Sequence, residues 1–158
     1  MYADASYRRG PDARSTTGFV ITLHGAAVAW GSKLQLYAAL STTEAEVQAC
    51  VSAGRVAIWM GYVLPELGQP LAGPVTVLGD NQAALSLLSE RLHTKISQHM
   101  EPIESRLRWW ASQDRLRFVY VSTTENWADC LKKALPRPAL VKCCRGMGLF
   151  DKVLCCLG

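Results

Sequence analysis

Residues 74–88 read Pro-Val-Thr-Val-Leu-Gly-Asp-Asn-Gln-Ala-Ala-Leu-Ser-Leu-Leu, and no other stretch limits the possible folds as much. Val75, Thr76, Val77 and Leu78 make a short β-rich run behind Gly73-Pro74, and helical spacing begins directly after Asp80-Asn81. A strand running straight into a helix is the unit from which α/β sheets are built. It leaves Asp80 outside the carboxyl end of the strand, beside the free N–H groups of a helix start. Asp80 is then either the cap of that helix or a ligand, and its immediate neighbours do not decide which.

The remaining elements follow from pattern and punctuation. Residues 1–6 read as the end of a strand with Asp4 at its exit, short enough that its continuation is expected upstream of Met1. Arg8, Arg9, Pro11, Asp12 and Arg14 form a polar loop; residues 19–23 and 27–30 are strands joined at His24-Gly25, hence an antiparallel hairpin. Residues 41–67 are a long helix, capped by Ser41, Thr42 and Thr43, with Glu44 and Glu46 in its first turn, Pro65 near its end and Gly68 and Pro70 beyond it. Ala49, Val56, Trp59, Met60 and Val63 fall near one face, which is expected to pack on the sheet. Residues 94–113 carry another helical pattern, with Pro102 tolerable only near its start. Of the adjacent Trp109 and Trp110, one is expected in the core and the other at the surface or a substrate. Residues 117–121 are the last strand, and Thr123 to Asn126 open a short helix carrying Asp129. Pro136-Arg137-Pro138 breaks it and residues 139–149 form a terminal helix. This gives one domain over residues 1–135 and a partly helical extension over 136–158.

A chain of 158 residues, 49% hydrophobic and 19% charged, suits one folded domain with a core of its own. No apolar run free of Arg, Glu or Gly reaches the roughly 18 residues of a membrane span, and no apolar leader follows Met1. The expectation is an intracellular protein, cytoplasmic or nuclear, with no membrane partner. The six cysteines lack Cys-x-x-Cys or histidine spacing, so free thiols rather than a structural zinc site are expected. A net charge of +4 is compatible with a polyanionic partner without establishing one.

Four acids stand at element junctions: Asp4 after the first strand, Glu46 in the long helix, Asp80 after the central strand and Asp129 in the late helix. If the first and fourth strands are neighbours, Asp4 and Asp80 lie side by side. Clustered carboxylates repel and raise one another's pKa. The chemistry that suits such a cluster is divalent: Mg²⁺ prefers oxygen ligands, and carboxylates on separate rigid elements can hold two Mg²⁺ ions, with Mn²⁺ as a substitute, about 3.5–4 Å apart for phosphodiester hydrolysis.

The order Asp, Glu, Asp, Asp on strand, helix, strand and helix resembles the ribonuclease H family. The wording resembles the ribonuclease H domain of copia-type retrotransposon polyproteins. The segments that carry the resemblance are Tyr-Ala-Asp-Ala-Ser at 2–6, Arg-Ser-Thr-Thr-Gly-Phe-Val at 14–20, Ala-Trp-Gly-Ser-Lys at 29–33, Ala-Leu-Ser-Thr-Thr-Glu-Ala-Glu at 39–46, Asp-Asn-Gln-Ala-Ala at 80–84 and Ala-Asp-Cys-Leu-Lys-Lys-Ala-Leu-Pro-Arg-Pro at 128–138.

The resemblance implies a ribonuclease H-like α/β fold: a five-stranded mixed sheet, three strands antiparallel and two parallel, with helices on both faces. It also implies two-metal cleavage of the RNA strand of RNA–DNA hybrids, in a domain normally fused to a reverse transcriptase. Asp4, Asp80 and Asp129 carry over as metal ligands; for the glutamate, Ala49 three residues on selects Glu46 over Glu44. The histidine that many members place before the last Asp is replaced here by Ser122, Thr123 and Thr124. Ser15, Thr16, Asn81, Gln82, Arg14 and His99 are the candidate substrate contacts, Arg8, Arg9 and Lys33 further phosphate contacts, and His24 and His93 surface residues. The alternative is a degenerate copy that binds nucleic acid without cutting it. An integrase-like nuclease would place its glutamate last, where this chain has Asp129.

Overall fold

The computed structural model describes residues 1–7, 13–89 and 102–149. The elements run β1 (Tyr2–Ser6), β2 (Thr16–Leu23), β3 (Ala26–Leu34), α1 (Thr42–Glu66), β4 (Val75–Gly79), α2 (Gln82–Ser89), α3 (Pro102–Ser112), β5 (Leu116–Tyr120), a 3₁₀ turn (Thr123–Glu125), α4 (Asp129–Lys132) and α5 (Arg137–Gly146). The sheet order is β3-β2-β1-β4-β5. The first three strands in sequence pair antiparallel, whereas β1–β4 and β4–β5 pair parallel, the mixed arrangement that the resemblance implied.

β2 and β3 turn at His24 and Gly25, both with positive φ, 51° and 81°, which matches the twist of a two-residue hairpin. β3 runs on to Leu34, four residues past the expected end, because it stays in register along β2 as far as Thr16↔Leu34. It is an edge strand with one open face, so polar Ser32 and Lys33 sit in it at little cost and hide it from a hydrophobic pattern.

α1 begins with a reciprocal cap: Ser41 Oγ accepts the Glu44 N–H at 3.1 Å, and Glu44 Oε2 accepts the Leu40 N–H at 2.7 Å. Its buried face differs from the expected one. Ala45, Ala49, Cys50, Ala53, Gly54, Ala57, Ile58 and Leu64 are buried, while Val56, Met60 and Val63 flank them half-buried and Trp59 is 60% exposed. Small side chains win the interface because they let the helix lie close to its neighbours. A Cβ at Gly54 would stand 2.4 Å from Leu107 Cδ2. With 25 residues and a mean hydropathy of 1.3 at best, α1 has the length and apolarity of a span by composition, but that small-residue face is packed on β1, β2, α2 and α3.

Trp110 is buried at 4% and Trp109 55% exposed, so the pair divides as its spacing requires. α1, α2 and α3 enclose one core with Ala3, Ala5, Ile21, Val77 and Leu116, whereas Val20, Cys143, Cys144 and Met147 form a second on the opposite face with Tyr2, Trp127 and Leu131. α5 starts at Arg137, before the expected Ala139, because Pro138 lies in the first turn, where no N–H is needed. Its end is tied to the hairpin by the Ala27 N–H on Met147 O at 2.8 Å. Cys50, Cys130, Cys143 and Cys144 form no disulfide, and His24 is exposed as expected. Arg8, Arg9, His93, His99, Cys155, Cys156 and the first part of the 94–113 helical pattern lie outside the described residues.

Candidate metal centre

Tyr2 pairs with Leu78 across the parallel β1–β4 ladder, so two residues further along each strand Asp4 comes level with Asp80. α1 reaches the same place through Gln35, a buried side chain whose Nε2 donates to Thr17 Oγ1 at 3.0 Å and to Ala45 O at 2.9 Å. Those bonds hold the start of α1 on the sheet, one residue before Glu46. Asp4, Glu46 and Asp80 each offer a carboxylate oxygen within 4.8 Å of the others. Oxygens that close are within reach of one hard cation holding each at about 2.0–2.6 Å.

Asp4 supplies the test of whether a cation fits. The residue is 0% exposed. Its Oδ1 accepts the Ala5 N–H at 2.8 Å and a Lys132 Nζ proton at 2.5 Å, whereas Oδ2 is buried with no donor. A buried carboxylate oxygen with no partner costs free energy that a cation would remove. The titration behaviour points the same way. Burial, then the charges of Asp4 and Asp80, push the Glu46 pKa up to about 9. Burial pushes Asp4 up to about 6, with Lys132 pulling it back and Asp80 and Asp129 adding to the rise. Without a cation this cluster is short of positive charge. Cys50 is buried nearby, and burial followed by Glu46, Asp4 and Asp80 raises its thiol pKa, so it remains protonated.

Three of the four expected acids, Asp4, Glu46 and Asp80, fall within that group, and Asp129 lies beside it. Asp129 lies at the flank of the triad, and its Oδ1 is paired with Lys133 Nζ at 2.7 Å and Lys132 Nζ at 3.3 Å. Lys132 Nζ contacts both Asp4 and Asp129 and so bridges the two carboxylates. Glu44 is occupied in capping α1, and the glutamate in the triad is Glu46.

The candidate substrate contacts divide. Asn81, not Asp80, caps α2, its Oδ1 accepting the Ala84 N–H at 3.1 Å. Gln82 is exposed in the first turn of α2, Thr16 and Arg14 are half-buried, and Lys33 is exposed on the edge strand. Ser15 is 0% exposed and cannot face a ligand from solvent. Three further residues shape the site. Thr123 Oγ1 donates to Asp80 Oδ2 at 2.8 Å, from the loop that lacks a histidine. Buried Asn126 donates from Nδ2 to Ala3 O at 3.0 Å and accepts the Ala128 N–H at 3.2 Å, which fastens the entry to α4 beside Asp4. Lys132 is the third. Its one sequence signal was its place three residues after Asp129, on the same helical face.

No protein-family model matches the chain. It is 36% identical over 151 residues to the retrovirus-related Pol polyprotein from transposon TNT 1-94 of Nicotiana tabacum, covering 95% of this chain and 11% of that protein. It is 30% identical over 158 residues to the Pol polyprotein from transposon RE2 of Arabidopsis thaliana, covering 99% of this chain and 11% of that protein. Among solved structures it is similar to RNase H1 from Halobacterium salinarum, with a TM-score of 0.55, 22% identity and coverage of 82% of this chain and 90% of that one. The N-terminal RNase H domain of a Mycobacterium tuberculosis protein gives a TM-score of 0.56 with 21% identity, covering 91% of this chain and 94% of that one. LC11-RNase H1, crystallised in complex with an RNA/DNA hybrid, gives 0.56 with 17% identity, covering 82% and 90%. In sequence and in fold together, this chain is a ribonuclease H-like domain homologous to the Pol polyproteins of copia-type retrotransposons.

Proposed function

We propose that the domain hydrolyses the RNA strand of RNA–DNA hybrids with the help of divalent metal, inside the cell and in a polyprotein that also carries a reverse transcriptase. The observation that carries this reading is the triad of Asp4, Glu46 and Asp80, in which Asp4 also has a buried Oδ2 with no donor. The similarity to an RNase H1 crystallised with a hybrid supports the substrate, and the 11% share of each Pol relative supports the polyprotein setting.

Asp4, Glu46 and Asp80 would hold Mg²⁺ or Mn²⁺. Such an ion, when bound, supplies activation of a water and stabilisation of the leaving oxygen. The protein's own residues position that site. The Thr123 hydroxyl fixes one oxygen of Asp80, Asn126 holds the approach of α4 to β1, and Gln35 holds the start of α1. A hybrid is recognised through backbone and 2′-OH groups rather than base edges, which suits exposed Gln82 and half-buried Asn81, Thr16 and Arg14 as short hydrogen-bonding and cationic contacts.

The test is cleavage of a hybrid with a labelled RNA strand in Mg²⁺ or Mn²⁺. The wild-type chain should cut it and Asp80→Asn should leave it at background with an unchanged circular dichroism spectrum; uncut hybrid with fresh wild-type protein in either metal refutes the activity. One observation favours the second reading, a copy that binds hybrid without cutting it: Lys132 and Lys133 neutralise Asp129. Saturable hybrid binding without cleavage would select that reading.

A further inference from the structure

Among the described residues, Lys132 is the cation held against the triad. Its Nζ lies 2.5 Å from Asp4 Oδ1 and 3.3 Å from Asp129 Oδ1, and its side chain is only 11% exposed. An ammonium at this depth persists only when its partners outweigh desolvation. Asp4 is therefore a bridging carboxylate: Oδ1 faces the ammonium on the Asp129 side, and Oδ2 is left to whatever the triad holds.

Two-ion phosphodiesterase sites are built on the same plan, with two cations clamped a few ångströms apart. Local packing makes the position of Lys132 a product of the fold rather than of a loose side chain. Gly18, opposite Asp4 in the β1–β2 ladder, lacks the Cβ that would stand 2.9 Å from Lys132 N and 2.8 Å from Ala128 O. α4 can therefore sit directly on the strand and deliver the lysine.

Building on the proposed metal dependence, we infer that Lys132 takes the place of a second divalent ion between Asp4 and Asp129, so that the chain binds a single divalent ion, at Asp4, Glu46 and Asp80. This revises the two-ion expectation from the sequence. An ammonium supplies a fixed charge and, with one proton given to Asp4 and Asp129 close by, at most two donors to a phosphate oxygen, but it is no Lewis acid, so it neutralises and orients where an ion would also polarise.

Counting bound Mn²⁺ per chain, by electron paramagnetic resonance of the free ion and by calorimetric titration, tests the inference without relying on cleavage. Wild type and Lys132→Arg should each bind one ion. Lys132→Met should bind two, and the added Asp129→Asn should return the count to one. Two ions on the wild type, or one on Lys132→Met that keeps its native circular dichroism spectrum, overturns the inference while leaving metal dependence standing. No ion on any of the four proteins removes the metal reading itself, and this inference with it. If Lys132→Met does not fold, the wild-type count decides: one supports the inference and two overturns it.

Discussion

Glu44 and Glu46 are two residues apart on one helix, yet the fold uses them for unrelated purposes. Glu44 satisfies the Leu40 N–H at the start of α1, and Glu46 faces Asp4 and Asp80. Glu44→Ala should therefore lower stability by about 0.5–2 kcal/mol and leave the Mn²⁺ affinity intact. Glu46→Gln should do the reverse, removing metal binding while leaving the metal-free fold as stable or more so. Urea midpoints paired with metal titration separate the two. The same glutamate sets a pH dependence. Its ordinary pKa is 4.5 and its value in the metal-free fold is about 9, so between these the folded chain holds a proton that the unfolded chain has lost. Stability from this group is complete below the lower value and is lost as pH rises through the upper one. Asp4, raised from 3.8 to about 6, contributes in the same direction over a lower range. In EDTA the urea midpoint of wild type should fall relative to that of Glu46→Gln between about pH 5 and about pH 9, while the buried Met1 amino group, lowered to about 6, acts in the opposite direction in both proteins. A wild-type midpoint that climbs relative to that of Glu46→Gln over that interval contradicts the assignment.

At the scale of elements, the site depends on how closely α4 and α1 approach the sheet. Gly18 makes room for α4 on the sheet, where a methyl group would strike Ala128 O, and Gly54 lets α3 close on α1, where it would strike Leu107. Gly18→Ala should cost about 1–3 kcal/mol as an overpacking change and should move α4 outward, drawing Lys132 away from Asp4. A shifted urea midpoint together with an altered Mn²⁺ count is the expected result; an unchanged midpoint would show that α4 has slack the packing does not indicate. α1 also shows how a helix can be recognised while its buried face is misjudged. Bulky Trp59, Met60 and Val63 stand out by hydrophobicity, whereas half of the buried face is alanine and glycine, with Val47, Cys50, Val51, Ile58 and Leu64 making up the rest. Closeness of approach, not side-chain size, chose the interface, and a helical pattern read alone carries no information about the depth of the groove it will meet.

For the whole molecule, the uncompensated charge of the triad links metal to stability. A ligand that binds only the folded state stabilises it by about 2.7 kcal/mol at a hundredfold excess over its dissociation constant. Mg²⁺ or Mn²⁺ should thus raise the melting temperature of the wild-type chain, more at alkaline than at acid pH because Glu46 must lose its proton to bind. Asp80→Asn should show little of this rise. A melting temperature indifferent to both metals would count against the triad as an ion site. The sequence alone determined the strand-to-helix junction at Asp80, the hairpin, the long capped helix and the acids at element ends, because propensity, capping and turn chemistry act over a few residues. Tertiary structure alone decided that Asp4, Glu46 and Asp80 meet while Asp129 is claimed by lysines. Lys132 touches a carboxylate 128 residues away in the chain, and a contact over that separation exists only once strand register and the space left by a glycine have brought α4 onto the sheet.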